Sequence, residues 1–207
     1  MSGLHPGWPA VLSAGPVTLR PPRRSDAAAW SSSRLRNAEW LIPWEPTSSQ
    51  TWHQRNTPHE FRRGLSRMKS AARMGAMLPF VVIYGDRLVG QMSASNVIRG
   101  ALRSCSIGYW IDSAVAGRGI TPTALALLID HCLTQVRLHR VEVNIRPENQ
   151  ASIRVVEKLN LRQEGYHERF LDIDGDWRDH LTFAITTEEI LGAPVLSRLV
   201  ALPVPPG

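Results

Sequence analysis

Apolar and polar residues repeat along the chain with two periods, and these periods separate strands from helices. Alternation with a period of two predicts a short strand from Val17 to Arg20 and another in the stretch HRVEVNI, which ends at Ile145. Helical spacing predicts a helix that begins near Ala27 and is capped by Ser25 or Asp26. Both kinds of element are therefore expected from the start of the chain.

The polar, Arg-rich stretch from Ser48 to Met74 has Phe61, Leu65 and Met68 at helical spacing. This pattern predicts a long helix with one apolar face and one charged face in solvent. Thr57-Pro58 either breaks this helix or starts its second part.

The stretch LPFVVIYGDRLVGQMSAS predicts a hairpin with its turn at Gly85-Asp86-Arg87, and LRSCSIGYWI predicts a third strand. NQASIRVVEKLNL predicts a later helix, followed by two strands around Asp174-Gly175. One strand-helix-strand crossover thus lies among elements that are otherwise antiparallel. We predict an α+β fold with a mixed, mostly antiparallel twisted sheet, flanking helices and a central β-α-β crossover.

Composition narrows the picture. The 207 residues are 43% hydrophobic and 20% charged, which predicts one globular domain. We expect an N-terminal extension at 1–15, the domain at 16–190 and a Pro-rich C-terminal tail at 191–207 that is loose from Ala193 onward. The N-terminal stretch has no basic leader with a long apolar core, so a cytoplasmic protein without a membrane partner is expected.

The net charge of +6 favours a polyanionic or phosphorylated partner, although solubility alone explains it equally. Cys105 and Cys132 each lie in an apolar stretch without the spacing of a metal site or a disulfide framework. We expect both to be buried thiols, and we expect no metal.

Two glycines precede a strongly apolar helical pattern in the loop Ala116-Gly117-Arg118-Gly119-Ile120-Thr121. Thr121 suits the N-cap and Pro122 the first helical position. The helix would bury one apolar stripe, formed by Leu125, Leu128, Ile129, Cys132, Leu133 and Val136. Glycine allows close approach of the backbone, and free amides at a helix N-terminus favour an anion such as a pyrophosphate. A tight loop that only requires positive φ is the alternative.

This loop resembles the cofactor motif of the GNAT N-acetyltransferase superfamily, Gln/Arg-x-x-Gly-x-Gly/Ala, with Ala116 and Thr121 as departures. Further segments resemble the RimJ/RimL branch, which acetylates protein N-termini, and they extend over residues 16–187. These segments are VTLRPPRRSDAAAW, RNAEWLIPWEP, IGYWID, RPENQASIRVVEKLNLRQEG and DGDWRDHLTFAI.

The resemblance implies that acetyl-CoA, the cosubstrate, lies between two splayed strands. The backbone of Tyr109, Trp110 and Ile111 would hold the pantetheine arm, with the Ile111 amide facing the thioester oxygen. For the two aromatic side chains, a plain core role is the alternative. The pyrophosphate would be bound by Gly117, Arg118, Gly119, Ile120 and Thr121, and Asn149 would also contact the cosubstrate.

The resemblance further implies that Ser152 protonates the departing CoA thiolate; the alternative is that Asn149 and Ser152 only begin a helix. Glu142 and Asn144 share one face of their strand, so either could face the acceptor, and Glu142 is our candidate catalytic carboxylate. Other candidates for the base are Glu168, Asp179 and His180. For each carboxylate a surface or salt-bridge role is an alternative, and the histidine could be structural.

Trp40, Trp44 and Glu45 fall where this branch shapes its acceptor pocket, with Asn144 as a further substrate-binding candidate. Glu45 would offer a counter-charge to an ammonium group. The alternative is a hydrophobic plug between the early helices and the sheet.

The predicted function is acetyl transfer from acetyl-CoA to the N-terminal α-amine of a protein or peptide, with a ribosomal protein as one candidate acceptor. The reaction would be direct, without a covalent enzyme intermediate. A small-molecule amine acetyltransferase is the alternative within enzymes. A basic RNA- or ribosome-binding module, resting on the cations of 55–73, is the non-enzymatic alternative, but no interleaved aromatic series favours nucleic-acid recognition. Monomer and homodimer both stay open.

Overall fold

The computed structural model describes residues 6–199, and one eight-stranded sheet forms its centre. In chain order the strands are β1 (Leu12–Ala14), β2 (Val17–Arg20), β3 (Leu78–Tyr84), β4 (Arg87–Ile98), β5 (Ser104–Ile111), β6 (Arg140–Ile145), β7 (Arg162–Ile173) and β8 (Asp176–Thr186). The spatial order is β1-β2-β3-β4-β5-β6-β8-β7. Neighbours are antiparallel except for the parallel pair β5–β6. The predicted mixed sheet is confirmed.

The helices cover the two faces of this sheet. They are α1 (Ala27–Arg36), α2 (Ala38–Leu41), α3 (Trp52–Arg55), α4 (Pro58–Arg73), α5 (Ile120–Thr134) and α6 (Gln150–Lys158). The single long helix expected over 48–74 is divided, because Pro58 lacks the amide that would continue α3. Thr57 instead caps α4, its Oγ1 accepting the Glu60 amide at 3.2 Å. Within residues 6–199, no helix has the length and apolarity needed to cross a membrane.

Helix α1 begins at Ala27 with Asp26 at its N-cap position, as expected. Asp26 precedes the helix, but its side chain makes no cap hydrogen bond there. Its carboxylate instead binds the Arg20 guanidinium at 2.7 Å and the Arg23 amide at 2.7 Å. This ion pair joins the end of β2 to the beginning of α1.

Helix α5 crosses from β5 to β6 inside the main core and is buried on most of its surface. Every residue of its predicted apolar stripe is buried, and Cys105 and Cys132 are both buried free thiols, as expected. The helix begins at Ile120 with Gly119 as N-cap, so the expected start at Thr121 and Pro122 is wrong. Pro122 still lies in the first turn, where a missing amide costs no helical hydrogen bond.

The described parts of both expected extensions pack against the domain. β1 adds an antiparallel edge strand to β2. Val195 is fully buried, and the Val195 and Leu196 amides donate to the Asp130 carboxylate of α5 at 2.7 and 3.0 Å. A loose tail from Ala193 onward is therefore wrong for residues 193–199, because the partly buried Asp130 carboxylate binds this segment. Residues 1–5 and 200–207 lie outside the described part of the chain.

Candidate active site

Strands β5 and β6 diverge shortly after they pair. Their parallel register joins only Ser104–Ser106 to Arg140–Glu142, whereas β5 continues to Ile111 and β6 to Ile145. Beyond that junction β5 stays paired with β4, and β6 stays paired with β8. Each half of the sheet is thus held in place while a gap opens between the halves.

A first cavity of about 440 Å³ lies at this gap, on the side of the loop before α5. All the predicted cosubstrate-binding residues except Arg118 line it: Tyr109, Trp110, Ile111, Gly117, Gly119, Ile120, Thr121 and Asn149. Arg118 is exposed and lies outside the lining. Arg154 and Lys158 of α6 add two cations that the sequence interpretation missed. Their spacing of four residues on one helix was the available signal.

The loop before α5 offers unpaired backbone amides to this cavity. Gly117 and Gly119 have φ values of 79° and 77°, in the left-handed region that glycine adopts readily. The first helical hydrogen bond runs from the Thr123 amide to the Gly119 carbonyl, which leaves the Ile120 and Thr121 amides without a helical partner. These amides and the helix dipole together favour an anion at this end of the cavity.

A second cavity of about 460 Å³ opens on the other side of the gap. Its wall includes Trp30, Arg34, Asn144, Arg146 and His180. The two cavities share the wall residues Trp44, Glu45, Tyr109, Trp110, Asn149 and Ser152. A molecule in one cavity can therefore meet a molecule in the other at this shared wall.

Asn149 and Ser152 have both of the roles considered from the sequence, at the start of a helix and at the candidate site. The Ser152 amide donates to Asn149 Oδ1 at 3.1 Å, so Asn149 caps α6 and Ser152 lies in its first turn. Both residues also line both cavities. Capping holds them at the place where the cavities meet.

Tyr109 presents a buried phenol to the same wall. Among the described residues its Oη has no hydrogen-bond partner, and the same is true of Trp110 Nε1. Burial raises the pKa of Tyr109 to about 12, with the Ser152 side chain acting in the opposite direction. The phenol therefore stays protonated at neutral pH and is available as a donor.

Arg34 forms a rigid part of the second cavity that the sequence interpretation missed. Its guanidinium carbon lies 4.6, 5.2 and 5.5 Å from the ring centroids of Trp52, Trp110 and Trp30. Its Nη1 donates to Glu45 Oε1 at 2.7 Å. Cation–π contacts of this kind hold an arginine in one orientation. No local pattern could reveal this cluster, because its members come from four separate elements.

The predicted acceptor residues divide between the two cavities. Trp44 and Glu45 line both, but Glu45 already carries an ion pair with Arg34, so its charge is partly neutralised. Trp40 lines only the first cavity and donates from Nε1 to the Ile111 carbonyl at 3.1 Å. The hydrogen bond places Trp40 beside the strand end that is expected to hold the cosubstrate.

Glu142 and Asn144 share a face of β6, as predicted, but they have different surroundings. Asn144 lines the second cavity, where its Oδ1 accepts from Thr182 Oγ1 at 2.6 Å. Glu142 lines neither cavity and accepts from Arg140 Nε at 2.6 Å. The catalytic assignment of Glu142 is therefore corrected: alternation gives the face of a strand but not the height at which a gap opens.

The three other candidate bases also separate. Glu168 is exposed on β7, and Asp179 accepts hydrogen bonds from the Tyr166 hydroxyl and, at 2.8 Å, from the Arg169 amide. His180 is buried and lines the second cavity. Among residues 6–199, no group of three or more His, Cys, Asp or Glu side chains is arranged to hold a metal ion.

The basic segment lies outside both cavities. Helix α4 buries Phe61, Leu65 and Ala72 against the domain. Its cations Arg62, Arg63, Arg67, Lys69 and Arg73 are exposed. Arg63 pairs with Glu60 at 2.8 Å. The predicted charged face in solvent is confirmed.

The chain resembles known acetyltransferases over most of its length. The family model of the acetyltransferase (GNAT) domain matches residues 17–162. The solved structure of Mycobacterium smegmatis RimJ in complex with CoA-disulfide shares 46% identity and a TM-score of 0.92, covering 95% of this chain and 96% of that one. The ribosomal protein uS5-alanine N-acetyltransferase of Escherichia coli (strain K12) is 29% identical over 192 residues, covering 91% of this chain and 97% of the relative.

A match to the Bacillus subtilis (strain 168) protein YjcK is more local, with 41% identity over 100 residues. It covers 48% of this chain and 55% of that relative. The fold, the family and the enzyme class predicted from the sequence are all confirmed by these similarities. Since the family model extends over well more than half of its residues, the chain belongs to the GNAT acetyltransferase family.

Proposed function

We propose that this protein transfers an acetyl group from acetyl-CoA to the N-terminal α-amine of a protein or peptide, with ribosomal proteins as the substrate class. The observation that carries this proposal is the meeting of two cavities at the wall shared by Tyr109, Asn149 and Ser152. A transfer reaction between two bound molecules needs this arrangement, because the donor carbon and the attacking nitrogen must come into contact without water between them.

The first cavity suits acetyl-CoA. Its free amides at Ile120 and Thr121, together with Arg154 and Lys158, match the negative charge of a pyrophosphate. The resemblance assigns the pantetheine arm to the backbone of 109–111, at the edge of the gap. A related protein, Mycobacterium smegmatis RimJ, was solved in complex with CoA-disulfide.

The chemistry at the shared wall follows from the residues there. The neutral amine attacks the thioester carbonyl carbon, and the Ile111 amide stabilises the negative charge that develops on the oxygen. The C–S bond then breaks, and Ser152 Oγ–H supplies a proton to the thiolate. The buried, protonated Tyr109 hydroxyl lies next to this step and keeps the leaving group in a donor-rich environment.

The second cavity suits the first residues of a polypeptide. Its aromatic wall offers an apolar surface, and the Arg34–Glu45 ion pair offers a polar one, both next to the reacting centre. A relative with 97% of its length matched is named for alanine N-acetylation of ribosomal protein uS5. An α-amine is also the easier nucleophile, because its pKa lies about two units below that of a lysine side chain. A ribosomal substrate implies a cytoplasmic location.

A mixed panel tests the acceptor. We expect acetylation of peptides that begin with Ser or Ala and little transfer to internal lysines or to aminoglycosides, as measured by mass spectrometry. Label on a drug-like amine but on no peptide N-terminus would favour the small-molecule alternative. The exposed cations of α4 would recruit an acidic or ribosome-bound acceptor, so transfer to such an acceptor should slow as salt rises.

A further inference from the structure

The second cavity contains few groups that can remove a proton near neutral pH. Its titratable wall residues are Arg34, Glu45, Tyr109, Arg146 and His180. An arginine side chain has no acceptor for a proton, and burial keeps the Tyr109 phenol protonated. Glu45 is held by Arg34 through Oε1 at 2.7 Å. His180 is the wall residue whose ordinary titration range lies next to neutrality.

The ring of His180 is held in a defined tautomer. Its Nδ1 lies 2.9 Å from the Arg178 carbonyl oxygen. A carbonyl oxygen can only accept, so Nδ1 carries the hydrogen and Nε2 carries the lone pair of the neutral ring. Among the described residues Nε2 has no hydrogen-bond partner. A side chain that is only 4% exposed therefore brings a free acceptor to the cavity wall.

Packing keeps this ring in place. The Phe170 ring of β7 contacts it edge-on, with centroids 5.7 Å apart. His167 lies opposite His180 in the β7–β8 register and also packs against Phe170, with ring centroids 4.8 Å apart. Asp179, the next residue along β8, is engaged by Tyr166 and the Arg169 amide. The ring thus has little freedom to rotate.

The surrounding charges favour the neutral ring. Burial lowers the pKa of His180 below its ordinary value, opposed by the hydrogen bond to the Arg178 carbonyl. Arg146, from the loop after β6, lowers the pKa further, whereas Glu148 and Asp179 raise it. The net direction is downward, so the unprotonated ring predominates at neutral pH.

We propose that His180 Nε2 is the general base that takes the proton from the acceptor ammonium group in the second cavity. The inference rests on the proposed function, because it requires an amine at the shared wall. The ammonium group gives one proton to Nε2, which passes it to solvent. After attack and loss of the thiolate, the nitrogen gives up a second proton that restores Ser152, and the third stays on the amide.

The test compares kcat/KM of the wild type and of His180→Gln over pH 6 to 9. The substrate is a peptide from the panel that has a free α-amine and is acetylated by the wild type. An α-amine with a pKa near 8 is only about 3% neutral at pH 6.5 and about 90% neutral at pH 9. Without a base the variant can use only the neutral amine. Its kcat/KM should be about 10² to 10³-fold below wild type at pH 6.5. That deficit should shrink by about 30-fold towards pH 9, in proportion to the neutral amine.

His131→Gln is the matched control. His131 is also buried, its pKa is also lowered by burial, and its Nε2 lies 2.7 Å from the Gly7 carbonyl oxygen, outside both cavities. This variant should melt at a lower temperature but keep the wild-type pH profile. An equal loss at every pH in His180→Gln would mean a structural role and would overturn the proposal.

The wild-type profile gives an independent measurement, should His180→Gln fold poorly. With His180 as base, kcat/KM should rise through a single ionisation below pH 6.5 and then stay level to about pH 8. If the wild-type kcat/KM instead rises up to pH 8 in proportion to the fraction of neutral amine, His180 is excluded as the base. If wild type acetylates a small amine and no peptide, the proposed acceptor class is wrong, and the same pH comparison on that amine still decides the role of His180.

Discussion

Replacing Gly119 with valine should remove most of the stabilisation of the protein by acetyl-CoA. Gly119 caps α5 with a φ of 77°. At that angle a side chain with a Cβ is strained by about 1–2 kcal/mol, and it would also stand among the amides expected to bind the pyrophosphate. The change therefore disturbs both the loop and its ligand.

The magnitudes separate these two effects. Acetyl-CoA at about 100 times its Kd stabilises the wild type by about 2.7 kcal/mol. For a protein of this size, that raises Tm by about 5–11 °C. A Kd weakened about a hundred-fold leaves about 0.4 kcal/mol at the same concentration, or about 1–2 °C. The unliganded variant should itself melt about 2–8 °C lower because of backbone strain.

Differential scanning fluorimetry with and without acetyl-CoA measures both shifts. Gly85→Val is the matched control, because Gly85 has a φ of 58° in the β3–β4 turn and an added Cβ would contact nothing within 4 Å. It should lose stability yet keep the full ligand shift. A full shift in Gly119→Val would refute the role of the loop, and no shift in wild type would refute acetyl-CoA binding and favour the RNA-binding alternative.

Two further predictions address the chemistry and the pH dependence of stability. Ser152→Ala should lower kcat by about 10 to 10³-fold while acetyl-CoA affinity stays nearly unchanged, because the amide that Asn149 caps is retained; a loss of Tm alone would leave Ser152 as a helix-start residue. At Asp112, burial tends to raise the pKa, but hydrogen bonds from Asn37 and Arg36 outweigh it and lower the pKa overall. A carboxyl group with a lowered pKa in the folded state stabilises the protein above the pKa of the unfolded state, which is near 4, and this stabilisation is lost as pH falls. The urea midpoint should therefore drop more steeply below pH 5 in wild type than in Asp112→Asn. Equal slopes of urea midpoint against pH in the two proteins would contradict this.

Much of the fold was predictable because it depends on local pattern. The period-two alternation gave the strand around Val143, and the run of apolar residues after Gly119 gave α5 and its buried stripe. Its first residue was misassigned because a left-handed glycine can act as the N-cap in place of a threonine hydroxyl. The β1 strand was missed because it is three residues long, and burial of Val195 depends on Asp130, which lies 65 residues earlier.

Some residues of the candidate site could also be predicted from local pattern, whereas others could not. Gly117, Asn149 and Ser152 could be found from short motifs, because each acts at the start of a helix. Arg34 could not, since its aromatic partners come together only in the folded chain. Glu142 was preferred to His180 as a carboxylate on a suitable face, but only the register of β5 with β6 shows where the cavity begins.

The short junction between β5 and β6 also affects how the molecule responds to its ligands. The strand pairing between the two halves of the sheet covers residues 104–106 and 140–142, extended by hydrogen bonds from the His139 and Arg140 amides to the Arg103 carbonyl. Under the proposed function, acetyl-CoA binds in the gap where β5 and β6 are no longer paired, and it contacts both halves of the sheet. We therefore expect the two halves of the sheet to move more freely relative to each other after CoA has left. Binding and release of the cosubstrate would thus change the rigidity of the sheet at the junction of β5 and β6.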